Sequence, residues 1–262
     1  MFAKALELSL YSSIYFTQFM NLPHVPYSVV ILIPAKNEVN TVATVVTEVK
    51  RRIAATVVVI DDASSDDTAQ TARAAGALVL SLPYSLGAWG AIQTGLRFAL
   101  KHQFEVAITM DADGQHEANA IPALLTPICQ HQCDVVIGAY PQRGSPLRQW
   151  AWSFFRKLSG ISLEDLTSGL RAYNQAAIRL LASSAATLLD YQDLGVLLLL
   201  HQHQLRIQET PIVMYPRLQG HSRIFSSWWA VSQYMLYTSL LCLARINVQP
   251  KITCHTKSLL PF

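Results

Sequence analysis

"ITMDADGQHE", residues 108–117, ends an apolar run in two aspartates separated by a single alanine. If Met110 closes a buried strand, Asp111 and Asp113 both crowd its exit. Like charges that close repel and desolvation adds to the cost, so a positive group is expected between them. A solvated loop opening the next helix would need one acidic cap, not two. The pair therefore marks a strand end as the place to look for chemistry.

The same alternation of apolar run, loop and helical spacing extends in both directions. "SVVILIP" (28–34) reads as a strand, "NEVNTVATVVTEVKRR" (37–52) as a helix and "ATVVVI" (55–60) as a second strand ending in Asp61 and Asp62. "SSDDTAQTARAAG" (64–76) opens on helix-capping residues and closes on glycine. Strand "ALVLSLP" (77–83), helix "AWGAIQTGLRFALKH" (88–102), strand "EVAITM" (105–110), helix "ANAIPALLTPICQHQ" (118–132) and strand "DVVIGAY" (134–140) follow. Continuous apolar strands between helices predict an α/β fold, an open, mostly parallel sheet covered on both faces. "QETPIVMY" (208–215) predicts one more strand. No linker or repeat interrupts the pattern, which predicts a single catalytic domain over 28–225.

Three predicted strands end in polar residues: Pro34 to Glu38, Asp61 with Asp62, and Asp111 with Asp113. Ligands of open α/β sheets sit at the carboxyl ends of the strands. Neither a P-loop nor a dinucleotide glycine fingerprint follows the first strand, and the glycines of "LGAWGAIQTG" (86–95) serve equally for close helix packing. With those phosphate grips absent, the carboxylate pair suggests Mg²⁺ or Mn²⁺ bridging to a diphosphate. Such ions take one or two carboxylates from protein and the rest from phosphate and water. Asp62 suits a hydrogen bond to a base or a ribose hydroxyl.

Bulk properties narrow the setting. Half the residues are hydrophobic (51%), 14% are charged and the mean hydropathy is +0.26, so contact with a membrane or an apolar partner is expected. Residues 1–142 carry 8 Lys and Arg against 12 Asp and Glu, and residues 143–262 carry 12 against 5. The basic second part suits a phosphorylated substrate or anionic headgroups, and its dispersed charges argue against nucleic acid. Cys129, His131 and Cys133 lack the second ligand pair of a structural zinc site, and His201 and His203 read as the polar face of a helix. Residues 1–27 form an expected amphipathic segment without a signal-peptide pattern. In 226–262, the run "WWAVSQYMLYTSLLCLARINV" (228–248) fits an interfacial helix led by Trp228 and Trp229 better than a membrane span.

"PAKNE" (34–38), "VIDDASSDDT" (59–68), "MDADGQH" (110–116), "EDLTSGLRAY" (164–173) and "PRLQGHSR" (216–223) occur in the order found in family 2 glycosyltransferases. The chain most resembles the bacterial relatives of dolichyl-phosphate mannose synthase, over about residues 28–225. The resemblance implies a GT-A fold, a nucleotide-diphosphate-sugar donor, Mg²⁺ or Mn²⁺, inversion at the anomeric carbon and a polyprenyl phosphate acceptor. It implies peripheral work on the cytoplasmic membrane face, with a membrane-protein partner or a homo-oligomer as further expectations. Carried over by position, Pro34, Lys36, Glu38, Ile60 and Asp62 line the nucleotide pocket. Asp111, Ala112, Asp113 and Gln115 form the metal and diphosphate site, with Asp111 and Asp113 as ligands. Arg217 and Arg223 face the phosphates, and Asp113, Asp165 and Arg217 act in the transfer. Lys36 stands where the family commonly has an aromatic, Ser85 where it has Asn, Tyr140 where it has Arg, and Asp193 where it has Glu. Competing readings are a hydroxyl acceptor served by an acidic base, a nucleotide-sugar binder without turnover, and a nucleotidyltransferase, which leaves 164–173 and 216–223 unexplained.

Overall fold

The computed structural model of the 262-residue chain describes residues 27–143, 152–157, 161, 163–187, 189, 193–215 and 239. The first two-thirds follow the predicted alternation: β1 (Val29–Ala35), α1 (Val42–Arg52), β2 (Thr56–Asp61), α2 (Thr68–Ala74), β3 (Leu78–Ser81), α3 (Gly87–Lys101), β4 (Val106–Thr109), α4 (Ile121–Cys129) and β5 (Val135–Ala139). Residues 152–157 are helical. Then come β6 (Arg171–Asn174), α5 (Gln175–Leu181), α6 (Leu194–Gln202) and β7 (Ile207–Pro211). The seven strands form one sheet in the order β3-β2-β1-β4-β6-β5-β7. All pairings are parallel except those of β6, which runs antiparallel between β4 and β5.

Side chains alternate across the central strands and divide the core in two. Val30 and Leu32 of β1 join Val58 and Ile60 beneath α3, α5 and α6. Ile31 and Ile33 face the other way, with Val57 and Val59, onto α1, α2 and α4. All four β1 residues are 0% exposed. Burial on that scale is worth about 1.5–3 kcal/mol for each large aliphatic side chain. The helix α3 approaches the sheet so closely that a methyl at Gly95 would lie 2.9 Å from Ile60 Cδ1 and 3.1 Å from Leu32 Cδ1. Only glycine gives that approach without moving the strand residues.

Two elements differ from their predicted extents, and a third is a strand that the sequence does not predict. Helix α1 starts at Val42 rather than Asn37, because Asn37 adopts the left-handed conformation (φ 53°) and the chain must turn first. The strand predicted over 208–215 is realised as β7 over Ile207–Pro211; Pro211 has no N–H of its own to give, and the Ile212 amide still donates to the Ala139 carbonyl at 3.0 Å. Strand β6, with Arg171 and Asn174 in four residues, lacks the apolar run that signals a strand, and its pairing with neighbours on both sides supplies what its composition does not. Among the described residues no helix is long and apolar enough to cross a membrane. The expectations for 1–26, for 216–223 and for the run 228–248, apart from Ser239, lie outside the described residues.

Candidate active site

The carboxyl ends of β1, β2 and β4 meet at one edge of the sheet. Register aligns Ala35 with Asp61 and Leu32 with Thr109, so the loops that follow leave side by side. The loop after β1 is tied to the loop after β2: the Asn37 amide donates to Ser64 Oγ at 2.9 Å, Asn37 Oδ1 accepts from the Ser65 amide at 2.8 Å, and the Glu38 amide donates to Thr68 Oγ1 at 2.8 Å. Asp66 joins this knot. Burial opposes its ionisation, but the hydroxyl and amide of Thr68 and the amide of Val39 outweigh that and hold its carboxyl below the usual value.

Asp62 is buried, and its carboxylate is engaged by the loop that opens α3. It accepts from the Leu86 amide at 2.6 Å, from Ser85 Oγ at 2.7 Å and from the Gly87 amide at 3.1 Å. A carboxylate there satisfies two backbone donors at a helix start and meets the positive end of the helix dipole. Lys36 Nζ donates to the same Ser85 Oγ at 2.8 Å. Two departures from the family pattern, Lys36 and Ser85, therefore touch each other and form a chain to Asp62. Of the other expected pocket residues, Pro34 and Glu38 lie half-buried at the edge. The Ile60 side chain is fully buried under α3, so the residue would line such a pocket through its backbone.

The acidic pair leaves β4 as predicted. Asp111 is half-open, with its side chain 42% exposed, whereas Asp113 and Ala112 are buried. Asp113 Oδ1 accepts from the Gln115 amide at 3.1 Å, and Gly114 turns the chain with φ 75°. Behind Asp111 lies Gly169: a methyl built on it would come within 2.6 Å of the Asp111 carboxylate carbon. Thr109 Oγ1 fixes that backbone by donating to the Gly169 carbonyl at 2.9 Å. The "TSGLR" segment thus forms the wall against which the acidic pair rests. Its glycine is required by close approach, a role invisible until the two segments are placed together.

Asp165, expected to act in the transfer, is 0% exposed. Its carboxylate accepts from the Tyr140 amide at 3.2 Å and the Thr167 amide at 3.1 Å. Arg171 is equally buried and ties the same loop from inside, donating to the Ser168 carbonyl at 2.9 Å and the Leu166 carbonyl at 3.0 Å. Asp193 caps α6 through the Gly195 amide at 3.1 Å. The Gln115 carbonyl accepts from the Tyr215 amide at 2.9 Å, and His116 bridges to Met214. The chain leaves the described residues at Tyr215, beside the acidic loop, and Arg217 and Arg223 lie beyond it. His116 and Gly169 carry no role in the sequence reading. His116 is 2% exposed, with both ring nitrogens unpartnered and Nε2 3.5 Å from Asp111 Oδ2.

Residues 30–184 match the model of the family described as glycosyl transferase family 2. The chain belongs to glycosyl transferase family 2. The undecaprenyl-phosphate mannosyltransferase of Micrococcus luteus is 30% identical over 214 residues, covering 75% of this chain and 87% of that protein. The UDP-N-acetylglucosamine–dolichyl-phosphate N-acetylglucosaminyltransferase of Methanococcus voltae is 25% identical over 209 residues, covering 70% and 83%. Glucosyl-3-phosphoglycerate synthase from Mycobacterium tuberculosis, solved with Mn²⁺, uridine diphosphate and phosphoglyceric acid, superposes with a TM-score of 0.67 at 18% identity, over 85% of this chain and 80% of that one. The family 2 enzyme described above therefore has the GT-A fold.

The donor set of this glycosyltransferase fits a hard divalent cation. Among the described residues no three His, Cys, Asp or Glu side chains cluster as a complete protein cage. A half-open carboxylate one residue from a second one instead suits Mg²⁺ or Mn²⁺, which complete their shells with phosphate and water. Asp111 and Asp113 are the residues that could hold it.

Proposed function

We propose that this family 2 glycosyltransferase moves a sugar, with inversion, from a nucleoside-diphosphate sugar to polyprenyl phosphate at the cytoplasmic face of the membrane. The observation that carries the reading is the acidic edge. Asp111 stands half-open against Gly169, next to buried Asp113 and the Asp62 loop, at the end of the sheet where ligands of open α/β folds bind. Lys36, Glu38 and the Ser85–Gly87 loop would receive the nucleoside, and Asp111, Asp113 and Gln115 the diphosphate end. A bound divalent ion would neutralise charge on the departing diphosphate. Arg217 and Arg223 would add positive charge to the same group. An oxygen of the acceptor phosphate would form the new bond to the anomeric carbon as the bond to the β-phosphate oxygen breaks, and the nucleoside diphosphate leaves.

The phosphate acceptor is favoured over a hydroxyl one for a chemical reason. A phosphate is ionised near neutral pH and needs no general base, whereas a hydroxyl needs a carboxylate within reach. Asp165, buried and engaged with two backbone amides, is better placed to brace the 163–171 loop than to take a proton from an acceptor. The activities for which the Micrococcus and Methanococcus relatives are named add support for a polyprenyl-type acceptor.

The test is a panel of nucleoside-diphosphate sugars with and without Mn²⁺, read first as a rise in melting temperature and then as transfer to undecaprenyl phosphate. Ligand present at 100 times its Kd stabilises the native state by about 2.7 kcal/mol. Asp111→Asn and Asp113→Asn should each abolish the Mn²⁺-dependent part of that rise while the ligand-free melting temperature stays within a few degrees. A variant with wild-type turnover at limiting Mn²⁺ rejects the metal assignment. Transfer only to water or to soluble sugars rejects the acceptor.

A further inference from the structure

Beside the acidic loop, with none of the Asp62-loop residues in its walls, lies a groove of about 470 Å³. Its walls are Glu48, Arg51 and Arg52 from the second half of α1, and Gly114, His116, Glu117 and Asn119 with Tyr215 from the segment after β4 and the end of the β7 extension. That volume is within the range of small-molecule sites and exceeds what a lone phosphate fills. Arg51 and Arg52 are exposed and make no hydrogen bond or ion pair among the described residues. Of the two carboxylates in the wall, Glu117 is occupied by the Tyr215 hydroxyl, whose proton it holds so that the phenol titrates above its usual value. Glu48 stands one turn before the two arginines on the same helix.

The second observation is His116. It lines the groove, is 98% buried, and neither ring nitrogen has a hydrogen-bond partner. Buried polar groups left unpaired cost about 1–3 kcal/mol each, and native proteins tolerate few. Nε2 is turned to Asp111 at 3.5 Å and the imidazole is fully enclosed, so the ring stands behind the groove wall as a link to the acidic loop and not as a contact for what fills the groove.

We infer that this groove is a second ligand site, distinct from the proposed donor pocket, and that it takes an organic phosphomonoester. Two guanidinium groups with no competing partner match phosphate oxygens in charge and geometry. The exposed Tyr215 ring and the Asn119 amide offer an apolar face and a polar anchor for the organic body. His116 lies enclosed behind the wall, and through its contact with Asp111 it makes the acidic loop sensitive to what the groove holds. The inference needs only the geometry of the groove, but the consequence for Asp111 rests on the proposed function.

The probe is glycerol 1-phosphate, added to the full-length protein in EDTA so that no metal-dependent site contributes. Binding is followed by the side-chain signals of ¹⁵N-histidine-labelled protein, the His116 signal being assigned as the one missing from His116→Gln. Saturable movement of that signal is expected in the wild type, with the apparent Kd raised at least tenfold in the Arg51→Ala/Arg52→Ala double variant and unchanged in Lys101→Ala, a distant surface control. Both arginines are exposed, so the double variant should keep the wild-type melting temperature and its Mn²⁺-dependent donor binding. A phosphate borne by a lipid gives a second arm: flotation with phosphatidic acid vesicles, lost in the double variant and absent with phosphatidylcholine, assigns the same chemistry to a headgroup. An immobile His116 signal in both arms overturns the inference, as does binding that survives loss of both arginines. Loss of donor binding in Asp111→Asn with the groove still filling would separate the two sites. Absence of donor binding in the wild type would reject the proposed function while leaving the groove standing.

Discussion

Replacing Gly169 by alanine tests the site with one methyl group. The added Cβ would lie 2.6 Å from the Asp111 carboxylate carbon and nearer still to Oδ2, whereas ordinary contact begins at 3.4 Å, so the carboxylate must retreat by somewhat more than about 1 Å. The backbone at Gly169 does not hold the left-handed conformation, so alanine brings no torsional penalty there. Asp111 has room to yield, its side chain being 42% exposed. The expected cost in stability is therefore below about 1 kcal/mol, within the range of surface substitutions. Function should respond far more, because a misplacement of about 1 Å in a reacting constellation costs on the order of 100-fold in rate. The assay pairs thermal unfolding with kcat/KM for the best donor and with Mn²⁺ titration. A fall of about 100-fold with an unchanged melting temperature is the expected result. Wild-type turnover would refute the reasoning, since Asp111 would then have moved without consequence and could not be part of the site. Unfolding of the variant would equally refute it, by showing that the carboxylate cannot yield.

The Lys36–Ser85–Asp62 chain predicts coupling: in a cycle of Lys36→Met and Ser85→Ala, the losses in donor affinity should fall short of additive by about 0.5–3 kcal/mol, and strict additivity would show the contact to be idle. Gly95→Ala should lower stability by about 1–3 kcal/mol through overpacking against Ile60 and Leu32 without altering Mn²⁺ affinity, and a neutral effect on melting would contradict the close approach of α3. Burial, with the Asp134 charge beside it, pushes the Cys133 thiol up to about 11. Iodoacetamide at pH 8 should therefore leave Cys133 unlabelled in the native protein and label it once the chain is unfolded. The native thiol holds its proton above pH 9 where the unfolded one releases it, so stability should decline as pH climbs from 9 towards 11, and a flat profile for wild type relative to Cys133→Ala would count against that burial.

The parallel half of the sheet was legible because each strand from β1 to β5 is a largely apolar run bounded by turn residues. Local pattern and tertiary role agree there, as they do for α1 to α4. Strand β6 escaped because its four residues carry an arginine and an asparagine; the strand exists through its two neighbours, which no local window contains. The acidic pair was readable for a similar reason to the strands, since two carboxylates one residue apart state their problem in the sequence itself. Gly169 and His116 could not be read that way. Their importance lies in distances to Asp111 from a segment 58 residues away and from a buried ring that turns back on its own loop.

Lys36 and Ser85 show how departures from a family pattern can belong together. Taken singly, a lysine in place of an aromatic removes a flat surface, and a serine in place of asparagine shortens a polar arm. In the folded chain the shorter arm leaves Ser85 Oγ between Asp62 Oδ2 at 2.7 Å and Lys36 Nζ at 2.8 Å, so the serine relays the lysine to the carboxylate. A hydroxyl both donates and accepts, which a relay of this kind requires. The lysine head thereby gains a fixed direction, and half-buried Lys36 is held over the β3–α3 loop instead of sweeping through solvent. Its charge then sits opposite that of Asp62 in the expected nucleoside pocket, offering a donor where an aromatic would offer only a face. Recognition at this pocket should accordingly depend more on hydrogen bonds, and on salt, than stacking alone would make it.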